Sequence, residues 1–179
     1  MAYRLSKTPL KRDMKPSPYG YRDLLSERQF LKVQQRAREL DRGTNLDSIM
    51  VKEQMLMYKT RSSEFDDNGI VYTQRIFVEE ASFENIIKAR NFNEIEKIMK
   101  DGGLKVHCNC PAFHFWGYKY KAWKMGYGLE KELRRPIIRN PYGKGFVCKH
   151  LYLVLQTFPF ISKNLAKEFS DFWEKQLKK

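Results

Sequence analysis

Only three cysteines and three histidines occur in 179 residues. Three thiols are too few for a disulfide-stapled secreted scaffold. A Cys108–Cys110 bridge is also disfavoured, because close neighbours on one strand have poor bridging geometry. No apolar run approaches the ~18 residues that suggest a membrane-spanning helix. No N-terminal signal peptide is read in the chain, so a soluble protein assembled in a reducing cytoplasm is expected. Phosphate-cradling G-x-x-x-x-G-K-[ST], metalloprotease H-E-x-x-H and the H-x-E plus P-C-x-x-C set of zinc deaminases are all missing. His107, His114 and Asn140 are the residues left from which a nuclease centre would be built, and nothing in the sequence fixes their geometry. The chain is therefore read as a non-enzyme.

Acidic residues are the other shortage: 21 against 34 Lys and Arg, a net charge of +13. The imbalance is uneven. Residues 1–42 carry +6, residues 43–105 carry −2, residues 106–150 carry +7 and residues 151–179 carry +2. Two basic regions flanking an acidic middle favour a polyanionic or acidic partner, although solvated lysine faces give the same composition. Hydrophobic residues make up 42% of the chain, enough for a core.

The three cysteines are not scattered. They form C-x-C at Cys108 and Cys110 and, after 37 residues, C-x-H at Cys148 and His150. Isolated cysteines are often small buried apolar residues, but two close pairs of thiolate and imidazole donors are what a tetrahedral structural Zn²⁺ takes. If Val106 to Cys110 is extended, Cys108 and Cys110 face one side. Cys148 and His150 converge only if Cys148 lies at a helix start and His150 in its first turn, since two steps within a helix point nearly opposite ways. Leu151, Val154, Leu155 and Phe158 have the helical spacing this needs. His107 and His114 are competing nitrogen donors, His114 as a replacement for His150.

The two ligand pairs resemble the SWIM-type zinc finger. Cys108-Asn-Cys-Pro-Ala-Phe, Arg139-Asn-Pro and Cys148-Lys-His-Leu are further similar to the SWIM segment of tailed-phage virion proteins. The resemblance covers about residues 104–156 and matches all four ligand positions. It implies one structural zinc on Cys108, Cys110, Cys148 and His150. It also implies a virion component of the head, connector or neck, assembled in the host bacterial cytoplasm. Its partners would be capsid, portal or neck proteins, with packaged DNA as a further candidate, in a symmetric oligomeric assembly. The alternative it carries is an intracellular DNA- or RNA-binding SWIM protein.

Along the chain, residues 1–20 hold Pro9, Pro16, Pro18 and Gly20 and read as an extended basic arm, expected to order only against neighbours. Residues 21–43 read as an N-terminal helix, Arg22 to Asp41, with Phe30, Val33, Ala37 and Leu40 on one stripe. Residues 44–103 read as a hairpin of Ile49–Arg61 and Ile70–Ala81 around Asp67-Asn68-Gly69, then a short helix Asn93–Lys100 stopped by Gly102-Gly103. Residues 104–158 form the zinc unit, with strand Leu104–Cys110 ended by Pro111. Residues 159–179 hold a last helix with Ile161, Leu165, Phe169, Phe172, Trp173 and Leu177 along one stripe. The expected fold is α+β: a small antiparallel sheet with a zinc-stapled ββα unit, flanked by N- and C-terminal helices.

The insert at 111–147 interleaves nine aromatic with eight basic residues against two acids. Lys119, Lys121, Lys124, Arg134 and Arg135 are the candidate contacts to an acidic protein or to nucleic acid, most aromatics being expected to pack around the zinc. Arg139 is expected to brace the Asn140-Pro141 turn.

Overall fold

The computed structural model describes residues 17–25, 37, 46–52, 54–61, 70–89 and 91–157. Among the described residues, four strands, β1 (Leu46–Lys52), β2 (Met55–Arg61), β3 (Val71–Val78) and β4 (Leu104–Cys108), form one antiparallel sheet in sequence order. The expected β2–β3 hairpin is present, with Arg61 opposite Val71. Asp67-Asn68-Gly69 lies outside the described residues.

Two expectations change here. The run Ile49–Arg61 is two strands, because Lys52 pairs with Met55, and the sequence between them is Glu53-Gln54. Neither residue is a usual turn former, so the break leaves no compositional mark. Strand β3 stops at Val78, and Glu80 begins a helix, α2 (Glu80–Lys88), where the sequence suggested continued strand.

Alternation along the strands sets the inner face. Leu56, Tyr58 and Thr60 of β2 and Gln74, Ile76 and Val78 of β3 are buried. The register places Tyr58 opposite Gln74 and Gln74 opposite Cys108, so these three lie in one line across the sheet. All five residues of β4 are buried, which means that both faces of this strand are covered.

Helix α3 (Phe92–Asp101) matches the expected short helix within two residues at each end. Asn91 caps it, its Oδ1 accepting from the Asn93 and Glu94 amides at 3.0 and 3.1 Å. Gly103 then turns the chain at φ +72°, a conformation suited to glycine. A Cβ there would also stand 2.1 Å from Ser82 Oγ.

Of the expected N-terminal helix, the described part comprises α1 (Tyr21–Leu25) and a helical Ala37. The last four residues of the expected arm, Ser17 to Gly20, dock on their own chain. Ser17 and Tyr19 carbonyls accept from the Gly103 and Leu104 amides at 3.1 Å. Glu79 accepts from the Ser17 amide and pairs with the buried Lys105 at 3.2 Å. Donors at the start of β4 thus find partners that a free arm would not supply. Residues 1–16 and the whole expected helix at 160–178 lie outside the described residues. No helix among the described residues is long and apolar enough to cross a membrane.

Candidate metal centre

Three different local structures deliver the four donors. Cys108 is the last residue of β4, on the buried face. Asn109 then closes the β3–β4 pair: its amide donates to Thr73 O at 3.2 Å and its Oδ1 accepts from Thr73 N at 2.7 Å. Cys110 is therefore not part of the strand, as Leu104–Cys110 had suggested. It is the N-cap of α4 (Pro111–Phe115), with Pro111 in the first turn. Proline fits there because the first helical N–H has no intrahelical acceptor. The Cys110 Sγ itself accepts from the Phe113 amide at 3.4 Å. Cys148 precedes α6 (149–157 among the described residues), and its carbonyl accepts from Tyr152 N at 2.9 Å. His150 sits in the first turn, the arrangement that the C-x-H spacing required.

The donor atoms of Cys108, Cys110, Cys148 and His150 all lie within 4.8 Å of one another, and the four residues are 0–2% exposed. Tetrahedral bonding to sulfur at about 2.3 Å would put sulfurs about 3.8 Å apart, within that limit. His150 is the sharper test of fit. Both of its ring nitrogens are buried without a hydrogen-bond partner, although one of them carries a lone pair. A metal ion would satisfy that lone pair. The Tyr72 ring packs on the imidazole at 4.8 Å and helps to hold its plane.

Charge points the same way. Burial pushes the Cys108 and Cys148 thiols up, whereas the adjoining Cys108 and Cys148 S–H groups, with His150, hold Cys110 down. One thiolate is accommodated by two thiols; three buried thiolates repel one another unless a cation stands among them. The four residues fit a metal ion.

Gln74 adds a feature that the sequence reading passed over. Its Nε2 lies 3.6 Å from Cys108 Sγ while donating to Thr60 Oγ1 at 2.9 Å and Tyr72 O at 3.0 Å. The signal was available: a polar residue in phase with Ile76 and Val78 on a half-buried strand.

On the opposite face of β4, His107 belongs to a separate ionic cluster. Glu130 pairs with Arg75, lies 2.9 Å from Lys119 Nζ and 3.1 Å from His107 Nε2. The His107 contact lacks hydrogen-bond geometry. Arg75 also reaches His107 Nδ1 at 3.0 Å. Burial and the Arg75 guanidinium lower His107 to about 4, leaving it neutral at pH 7. Burial opposes ionisation of Glu130, but Lys119, His107 and Arg75 outweigh it and hold its carboxyl down to about 2. The His114 ring lies 5.5 Å from that of His107. His150 is the histidine that joins the three thiols; His107 and His114 stand outside the donor set.

The insert contributes two helices, α4 and α5 (Tyr118–Met125), and a loop. Of the five candidate contact cations, Lys119 pairs with Glu130 and Arg134 with Glu132 at 2.9 Å. Lys121 lies over the Phe146 ring at 4.2 Å. Lys124 and Arg135 are exposed on the surface. Arg139 lies over Trp116 at 5.4 Å, while Asn140 donates to Trp116 O at 3.1 Å and Lys144 O at 2.7 Å. Asn140, at φ 57°, thereby ties the loop to the end of α4. Comparison with known protein families, with curated proteins and with solved structures found no match for this chain.

Proposed function

We propose that this protein is a non-enzymatic, zinc-stabilised structural protein of a tailed-phage virion, acting as an assembly contact in the head, connector or neck. The observation that supports the zinc is the buried set of Cys108, Cys110, Cys148 and His150, with both His150 nitrogens lacking protein partners. Three thiolates and an imidazole suit Zn²⁺ in a structural SWIM-type site. Such a shell leaves no open coordination position for the water that hydrolytic zinc chemistry uses. A zinc held there would join strand β4, the start of α4 and the start of α6, which are up to 42 residues apart in sequence.

The virion reading rests on the motifs flanking the ligand pairs, Cys-Pro-Ala-Phe after Cys108-Asn and Arg139-Asn-Pro before Cys148-Lys-His-Leu. Purified particles of the phage that encodes the chain are expected to contain it at a fixed copy number, with one zinc per copy. Its absence from washed particles, with the protein remaining free in the lysate, would sink that reading. The alternative, an intracellular DNA- or RNA-binding SWIM protein, is favoured by the +7 charge of residues 106–150.

A further inference from the structure

A cleft of about 310 Å³ opens between the second half of α5 and the loop that follows Arg134. Its walls include Tyr120, Lys121 and Lys124 on one side and Arg135, Pro136 and Tyr142 on the other, and none of its lining residues is acidic. The two nearby carboxylates of the insert are already engaged: Glu130 by Arg75 and Lys119, Glu132 by Arg134. Lys124 and Arg135 are exposed and have no acidic partner among the described residues. Tyr142 is 84% exposed. Burial does not account for that ring, and the cleft places it near cations.

The cleft is also built rather than incidental. Asn140 bonds to both Trp116 and Lys144, and Arg139 covers the Trp116 ring. Gly117, at φ +77°, lets Pro136 approach so closely that a Cβ would stand 2.3 Å from Pro136 Cγ. These contacts fix the loop wall before any ligand arrives, which lowers the ordering cost of binding.

We infer that this cleft binds single-stranded nucleic acid without sequence preference, its tyrosines stacking bases while Lys124 and Arg135 follow the phosphates. Cations paired with aromatic faces are the two parts such sites need. A duplex keeps its base faces inside the stack, so it would offer the cations phosphate but leave Tyr142 uncovered. Acidic side chains of a protein would likewise match the charge and offer no flat partner to the rings. The inference rests on the metal-held module proposed above, but not on where in a particle or cell that module resides.

The experiment uses the full-length, metal-loaded protein and fluorescence anisotropy with labelled dT12, its duplex with dA12, and a poly-glutamate peptide. Single-stranded dT12 is expected to bind more tightly than the duplex. Two phosphate contacts predict a log–log salt slope of about −1.4. Tyr142→Ala should weaken dT12 about tenfold with the slope kept, and Tyr142→Phe should restore binding, because stacking needs the ring and not the hydroxyl. The Lys124→Gln/Arg135→Gln pair should flatten the slope by about 1.4. Equal binding of duplex and single strand, unchanged by Tyr142→Ala, would overturn the inference in favour of bare charge attraction. Poly-glutamate binding lost in the double variant, with no dT12 binding, would overturn it in favour of an acidic protein partner. Zinc content and circular dichroism on each sample separate the two readings: metal-free, unfolded protein fails the proposed module, whereas metal-loaded protein that ignores dT12 fails the cleft alone.

Discussion

Replacing Gln74 by leucine tests whether the sheet helps to hold the donor set. Gln74 is fully buried, and its one amide nitrogen serves Thr60 Oγ1, the Tyr72 carbonyl and Cys108 Sγ. Leucine keeps most of the volume and removes all three interactions. A buried polar group left without its partner costs about 1–3 kcal/mol, and here the Thr60 hydroxyl loses the Gln74 donor. Part of that is recovered, because Gln74 Oε1 is itself buried with no partner and leaves with the side chain. A net loss of about 1–3 kcal/mol in stability is expected at saturating metal. The lost N–H···S contact has a second effect. Residues that hydrogen-bond to metal ligands typically change metal affinity by about 10- to 100-fold when removed, or about 1.4–2.7 kcal/mol.

The two effects separate in the assay. Urea unfolding at excess zinc reads the first, and competition with a calibrated chelator reads the second. Gln74→Glu sharpens the comparison: it places a carboxyl beside the Cys108 sulfur, where a negative charge opposes the thiolates, so it should bind metal more weakly than Gln74→Leu. A leucine variant with the native zinc affinity and the native urea midpoint would refute the idea that Gln74 supports the site.

Exchanging the histidines should discriminate cleanly: His150→Ala loses the metal on gel filtration in dilute chelator, while His114→Ala retains it, as read by metal analysis. Gly128→Ala should destabilise the protein by about 1–3 kcal/mol, because an added Cβ would stand 2.7 Å from Trp123 N and 2.8 Å from the Ala122 carbonyl carbon; a denaturation midpoint equal to the native one would contradict the close packing of Gly128 on α5. Glu130→Gln should lower the denaturation midpoint at pH 7 with zinc retained, since it removes the charge shared by Arg75 and Lys119. The folded Glu130 carboxyl is held near 2, below its unfolded value of about 4.3, so its contribution is present above about pH 4.3 and is lost as pH falls towards 2. The gap between native and Glu130→Gln protein should therefore narrow in acid; a gap that widens would refute the assignment.

The donor pairs were legible because their chemistry leaves a spacing, and because the helical periodicity after His150 fixes how Cys148-x-His150 can converge. The antiparallel β2–β3 pair was legible from its β-branched and aromatic runs. What escaped lacked a local mark. The Glu53-Gln54 sequence between β1 and β2 holds no glycine, asparagine or proline. Helix α2 starts after Glu79, which makes no side-chain cap hydrogen bond, so nothing announces the change from strand to helix. The C-x-C pair suggested one continuous strand, yet Pro111 marks a helix start as readily as a strand end, and the structure uses it as the former. Glu130 joins Arg75, His107 and Lys119 across as many as 55 residues, a grouping that only tertiary packing creates. Lys119 and Arg134 read as surface cations from composition; their carboxylate partners become visible once the insert is folded.

We propose that Cys108, Cys110, Cys148 and His150 together hold one structural zinc. X-ray absorption at the zinc edge, on freshly purified and reduced protein, tests it most directly. One zinc per chain is expected, with three sulfur neighbours at about 2.3 Å and one nitrogen neighbour at about 2.0–2.1 Å. Protein that binds no zinc, or a shell dominated by oxygen donors, would contradict it.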